Sequence, residues 1–278
     1  MKKSLLATAA TLACGAVMSN AAHAADWSDT SLSWRYGPDF TEPGNPSDIR
    51  KNIVALTHVS GYKYGSNFFN VDVLTSDKKD PANNSTNGAQ EIYLVYQTQL
   101  HLSKISSVKP AMGPIADYAL SAGFDFNAKN DAFAPRVRKF MIGPTVKFGG
   151  EWGWADLSLL YYKEKNHNGI VGVAVDFDPT WRVAGAWGVK LPTGPVPLSF
   201  NGFFAVTGEK GKDGFGNDTH TETLLNMYLM TDVSTYAGAP GKVLIGPGYE
   251  YWKNKFGSSP DLPGSKTSTA MIRVEYHF

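Results

Sequence analysis

The chain of 278 residues sets 26 Lys and Arg against 25 Asp and Glu, a formal net charge of +1. Charged residues make up only 18%, while aromatics reach 13% and glycines number 28. This balance excludes a disordered chain, a coiled coil and a basic nucleic-acid binder, and it suits β-structure with wet and greasy faces.

Met1-Lys2-Lys3, the apolar run Leu5 to Val17 and the small-x-small triplet Ala22-His23-Ala24 form the three parts of a secretory signal. Cleavage after Ala24 is expected, leaving 25–278 as one folded domain. The single cysteine, Cys14, lies inside that signal, so the remainder has no disulfide and no thiolate metal site. No later stretch approaches the roughly 18 apolar residues of a spanning helix. A membrane barrel remains open, because each of its strands needs only about 10 residues, every second one facing lipid.

Period-2 segments then follow one another. Leu32, Trp34 and Tyr36 alternate with Ser31, Ser33 and Arg35. Phe69, Val71 and Val73 alternate with Phe68, Asn70 and Asp72, and Ile92, Leu94 and Tyr96 with Glu91, Tyr93 and Val95. Trp181 to Lys190 repeats the pattern with Arg182 on the polar face. At the end, Ile272, Val274, Tyr276 and Phe278 alternate with Arg273, Glu275 and His277. Two unlike faces on one strand mean two unlike solvents.

Twelve strands are expected, near 28–37, 52–62, 67–77, 90–105, 115–127, 138–149, 154–165, 180–191, 197–208, 221–233, 243–254 and 268–278. The fold class is all-β: a transmembrane antiparallel barrel in a bacterial outer membrane. Long polar connections are expected at 38–50, 78–89, 166–178, 209–220 and 256–267, with tight turns near 63–66 and 149–153. The long set then lies outside the cell, and both termini are periplasmic.

No P-loop, HExxH, GxSxG or dinucleotide fingerprint occurs, and the histidines share no metal-ligand spacing. The expectation is therefore a non-enzyme without cofactor or metal. Asp213-Gly214-Phe215-Gly216-Asn217-Asp218 is oxygen-rich, but it reads as a solvated turn. With apolar residues toward lipid, the candidate solute-contacting residues face inward: Arg35, Phe68, Asn70, Asp72, Glu91, Tyr93, Arg182, Arg273 and Glu275. Buried charges need water or opposite charges, so the lumen is either wet or tightly paired. Mixed charges beside rings suit a small, neutral, partly aromatic solute.

Three blocks carry a resemblance. Trp34-Arg35-Tyr36-Gly37-Pro38, Tyr64-Gly65-Ser66-Asn67-Phe68-Phe69-Asn70-Val71-Asp72 and Gly248-Tyr249-Glu250-Tyr251-Trp252-Lys253-Asn254-Lys255-Phe256-Gly257 resemble the Tsx-like nucleoside channels. Ser66 stands where that family has Asp, and Asn70 where it has Phe. The resemblance implies a monomeric twelve-stranded barrel that passes nucleosides and related small solutes, in some members also a phage or colicin receptor. Arg35, Phe68 and Asp72 fall on matched positions. The alternatives are a barrel of this fold for another small solute, or a plugged structural or receptor barrel.

Overall fold

The computed structural model describes residues 25–106, 108, 112–194 and 197–278. The expected signal segment, 1–24, lies outside the described residues. Thirteen strands follow in order: β1 (Trp27–Glu42), β2 (Asn45–Tyr62), β3 (Gly65–Ser76), β4 (Gln90–His101), β5 (Ile115–Lys129), β6 (Arg136–Gly150), β7 (Gly153–Asn168), β8 (Val173–Asp176), β9 (Thr180–Leu191), β10 (Leu198–Thr207), β11 (Glu222–Asp232), β12 (Val243–Lys253) and β13 (Thr267–His277). Each pairs antiparallel with its chain neighbour, except that β7 continues to β9 past the short β8. β13 closes onto β1. The result is a closed twelve-stranded barrel, with β8 a small hairpin on the upper end of β7.

Closure follows from the alternation. Leu32, Trp34 and Tyr36 stand opposite Tyr276, Val274 and Ile272 across the β1–β13 seam, all on the outer face. Outward side chains such as Ile92 and Leu159 are 54% and 56% exposed, a surface suited to lipid. Among the described residues no helix is long and apolar enough to cross a membrane. A barrel needs none, since closure satisfies every strand edge. The chain is an outer-membrane-type barrel, with Trp27 at the start of β1 and Phe278 after β13 on one rim.

The first hairpin departs from expectation. The polar stretch 38–50 is ladder, not loop: Glu42 pairs with Asn45 around a two-residue turn at Pro43-Gly44. Irregularities between Gly37 and Glu42 turn Phe40 inward, where it is buried with Ile49, Ile53, Tyr228, Met230 and Met271. At the other rim the β4 ladder stops at His101, and Leu102–Ile105 form one helical turn. Ser103 bonds Asp117 through both its backbone N–H and its hydroxyl, which draws the chain out of register. The connection after β4 is thus long although it lies on the terminal rim, so the expected alternation of loop lengths is not strict.

On the loop rim, the connections form a circuit of hydrogen bonds. Asn45 Nδ2 donates to Lys79 O (2.7 Å), Asn83 N to Asn130 O (2.8 Å) and Gly169 N to Phe133 O (2.6 Å). Asp178 N then donates to Lys210 O (2.9 Å), His220 N to Gly257 O (2.8 Å) and Gly44 N to Pro263 O (2.8 Å). Each loop is tied to the next around the whole mouth. Asp213, in the oxygen-rich turn, spends its carboxylate on the N–H groups of Phe215 and Asn217.

Candidate functional site: the barrel lumen

All nine expected residues lie on the inner wall, and most of them meet. At mid-height Arg35 Nη2 pairs with Asp72 Oδ2 at 2.5 Å, bridging over the intervening β2. Asn70 Nδ2 donates to Asp72 Oδ1 (2.8 Å), and Asn70 Oδ1 accepts from Thr57 Oγ1 (2.7 Å). Arg273 is the cross-strand partner of Arg35. Two like charges side by side need separate counter-ions: Arg273 pairs with Glu275, and Arg35 with Asp72. Tyr228 stands between them, accepting from Arg35 Nη1 (3.3 Å) and lying 4.7 Å beneath the Arg273 guanidinium. Its role was not evident in the sequence, because the Leu224–Met230 segment carries few charges to mark its inner face.

The remaining expected residues form separate contacts. Tyr93 Oη donates to Asp125 Oδ2 (2.8 Å) and accepts from Lys139 Nζ (2.8 Å). Arg182 lies 4.2 Å over the Tyr162 ring and donates through Nε to Thr207 Oγ1 (2.8 Å). Among the described residues it forms no ion pair. Glu91 accepts from Asn127 Nδ2 (2.5 Å). Phe68 stands apart, 37% exposed.

The strongest charge cluster lies near the loop rim and was missed. Glu42 Oε1 sits 2.5 Å from Lys51 Nζ, 3.3 Å from Lys255 Nζ and 3.6 Å from Lys129 Nζ. Lys129 also reaches Asp80 (2.9 Å) and Asp131 (3.0 Å). Nearby, Lys210 Nζ pairs with Glu164 Oε2 at 2.5 Å, which also accepts from Tyr162 Oη at 2.6 Å. All four lysines are buried, and such charges are tolerated only with dense pairing. The Glu42-Pro43-Gly44-Asn45 turn signal was the available clue, since it places Glu42 and Lys51 on facing strands.

Part of the remaining wall is open. Phe203, the cross-strand partner of Asn226, faces inward at mid-height and is 42% exposed. Trp154 lies across Gly188 near the terminal rim and is 48% exposed. Partly exposed inner residues fall on two arcs, Thr57, Phe68 and Gln97 on β2–β4 and Arg182, Asn201 and Phe203 on β9–β10. The strand order puts β3 and β10 on opposite sides of the barrel. Between the arcs the inner walls of β5–β7 are covered beyond Trp154, where Ser121, Thr145 and Ser158 are buried in one chain of hydroxyl contacts.

No family model matches the chain, and no curated protein matches it. Among solved structures, the KdgM porin is 7% identical and aligns over 89% of this chain and 99% of its own, with a TM-score of 0.45. The NanC porin is 8% identical over 88% and 98%, at 0.48. The translocator domain of autotransporter NalP from Neisseria meningitidis is 13% identical over 99% and 98%, at 0.47. The resemblance to Tsx-like nucleoside channels finds no match in these comparisons and rests on the residues alone.

Proposed function

We propose that the chain is a passive outer-membrane channel for small neutral solutes that join a flat ring to hydroxyl groups, nucleosides first among them. The observation that carries this reading is the accessible inner wall, with Phe68 and Phe203 exposed on opposing arcs. Rings of this kind bind a flat solute by stacking, a sequence-tolerant contact worth about 1–3 kcal/mol per base. Asn70, Gln97, Asn201 and Arg182 Nη2 supply hydrogen-bonding groups for hydroxyls on the same arcs, Arg182 Nε and Nη1 being held by Thr207 and Met141. Weak, repeated contacts let the solute enter and leave, so transport follows the gradient without an energy source. The barrel acts as a monomer in this reading, and no catalytic step is assigned to it.

The dense pairing near the loop rim favours a second reading, a closed barrel whose tied loops serve as a receptor for phage or colicin. Single-channel recording of the refolded protein in planar bilayers separates the two. The channel reading expects a small conductance that adenosine and thymidine block and free cytosine does not. An open pore indifferent to nucleosides removes the solute assignment. No conductance removes the channel.

A further inference from the structure

The outer wall carries a charged cluster that the lumen does not use and of which the β8 hairpin engages only the two lysines, through Asp176 and Phe177 O. Arg138 on β6 and Lys165 on β7 are cross-strand partners on the lipid-facing side, and both are exposed. Arg136 lies two residues up the same face of β6, and Lys163 two residues down that of β7. Asp176 is shared by Lys163 (2.8 Å) and Lys165 (2.8 Å). Among the described residues Arg136 and Arg138 form no ion pair. Four cations against one carboxylate therefore sit on a wall that otherwise faces hydrocarbon.

Their height matters. Arg136 opens β6 and Lys165 lies three residues from the end of β7, so the patch is at the loop rim. Phe126 is the cross-strand partner of Arg138, and Phe140 and Tyr161 follow directly below; all three are exposed on the same face, at the level where aromatic girdles mark the membrane–water boundary. Lys163 pairs across strands with Phe140, so cations and rings share one column. Arginine binds phosphate bidentately, and two arginines at i and i+2 span about 7 Å along a strand. That row is longer than one phosphate group.

We propose that this patch holds the headgroup of a doubly phosphorylated, acylated sugar in the outer leaflet, with its acyl chains lying down the wall over Phe140 and Tyr161. Arg136 and Arg138 each take a phosphate, and Lys165 shares the nearer one. The inference rests on the barrel's place in an outer membrane and not on what passes through the lumen.

The test uses the full barrel in nonionic detergent, incubated with diphosphoryl lipid A and followed by native mass spectrometry. The wild type retains one lipid A. Arg136→Gln with Arg138→Gln lowers the retained fraction at least tenfold, whereas Arg136→Lys with Arg138→Lys keeps part of it. Lys253→Gln with Lys266→Gln, at exposed or ring-stacked positions elsewhere on the rim, removes the same charge and changes nothing. Equal retention by the Arg→Gln pair overturns the proposal, as does equal loss in the Lys control. So does full displacement by equimolar inorganic pyrophosphate, which would leave the acyl chains no part. A barrel that holds lipid A but does not conduct leaves this inference standing and removes the channel reading.

Discussion

The two halves of the lumen are built on different terms. Near the loop rim, Glu42 gathers Lys51, Lys129 and Lys255, while Lys210, Glu164 and Tyr162 form a second knot. Toward the terminal rim and at mid-height the pairs Arg35–Asp72, Arg273–Glu275 and Lys147–Asp156 are spaced along the wall and leave the rings of Phe68, Trp154 and Phe203 exposed. The contrast shows what charge does inside a narrow barrel. Opposite charges that meet across the lumen bind strands which share no ladder, and they stiffen the mouth. Rings that no charge covers leave surface for a solute. One half ties strands together, and the other is the surface that the proposed passage would use.

The largest effect should come from the hub. Glu42→Gln leaves three buried ammonium groups without their shared carboxylate, and breaking a buried pair in this way costs about 3–5 kcal/mol. Urea unfolding followed by tryptophan fluorescence should show a lower midpoint, and bilayer recordings should show larger, noisier currents. An unchanged midpoint would mean that the loop circuit, not the hub, holds the mouth.

Removal of the aromatic surface should leave stability nearly untouched and weaken block. Phe68→Ala and Phe203→Ala should each cost about 1–3 kcal/mol of solute binding by the scale of base–aromatic stacking. Titration of the blocked current with adenosine reads this directly. If only one variant weakens block, the solute uses one arc and the opposed-arc account fails.

How much of this was readable beforehand follows from the same contrast. Strict alternation on β1, β3, β4, β9 and β13 marked each wall face, and so Arg35, Asp72, Tyr93, Arg182, Arg273 and Glu275 were found on the inner side. A polar stretch rich in Pro and Gly hid the first hairpin, and with it Glu42. Lys129, Lys210 and Lys255 were invisible for another reason: their partners are set by barrel closure and loop docking, which no local period encodes. Phe203 lies on β10, where apolar residues occur on both faces and periodicity cannot choose a side. The nine residues found are wall residues, and their contact with solute is a proposal.

A smaller effect is expected at the terminal rim, outside the spanning part of β11. Burial alone would raise the Asp232 carboxyl, but hydrogen bonds from Ser234, Thr235 and the Gly241 N–H bring it down to about 2. With a depressed value, its stabilisation is present above the ordinary carboxylate range near 4 and fades as pH falls toward 2. Asp232→Ala should cost about 1 kcal/mol, as loss of a cap does. The difference from wild type in urea midpoint should shrink in acid. A constant difference down to the lowest pH would assign the effect to packing of the turn.

The central claim is that the path runs between the β2–β4 and β9–β10 walls. Because Cys14 is the only cysteine in the chain, a preparation of residues 25–278 accepts single cysteines without background. Phe68→Cys and Phe203→Cys, each exposed to a charged thiol reagent during bilayer recording, test it most directly, with the outward Val73→Cys as reference. The account predicts that current falls by about half or more at both inner positions, because charge placed in a narrow lumen blocks conduction, and stays level at Val73. Current unchanged at both inner positions, or lost equally at Val73, would contradict it.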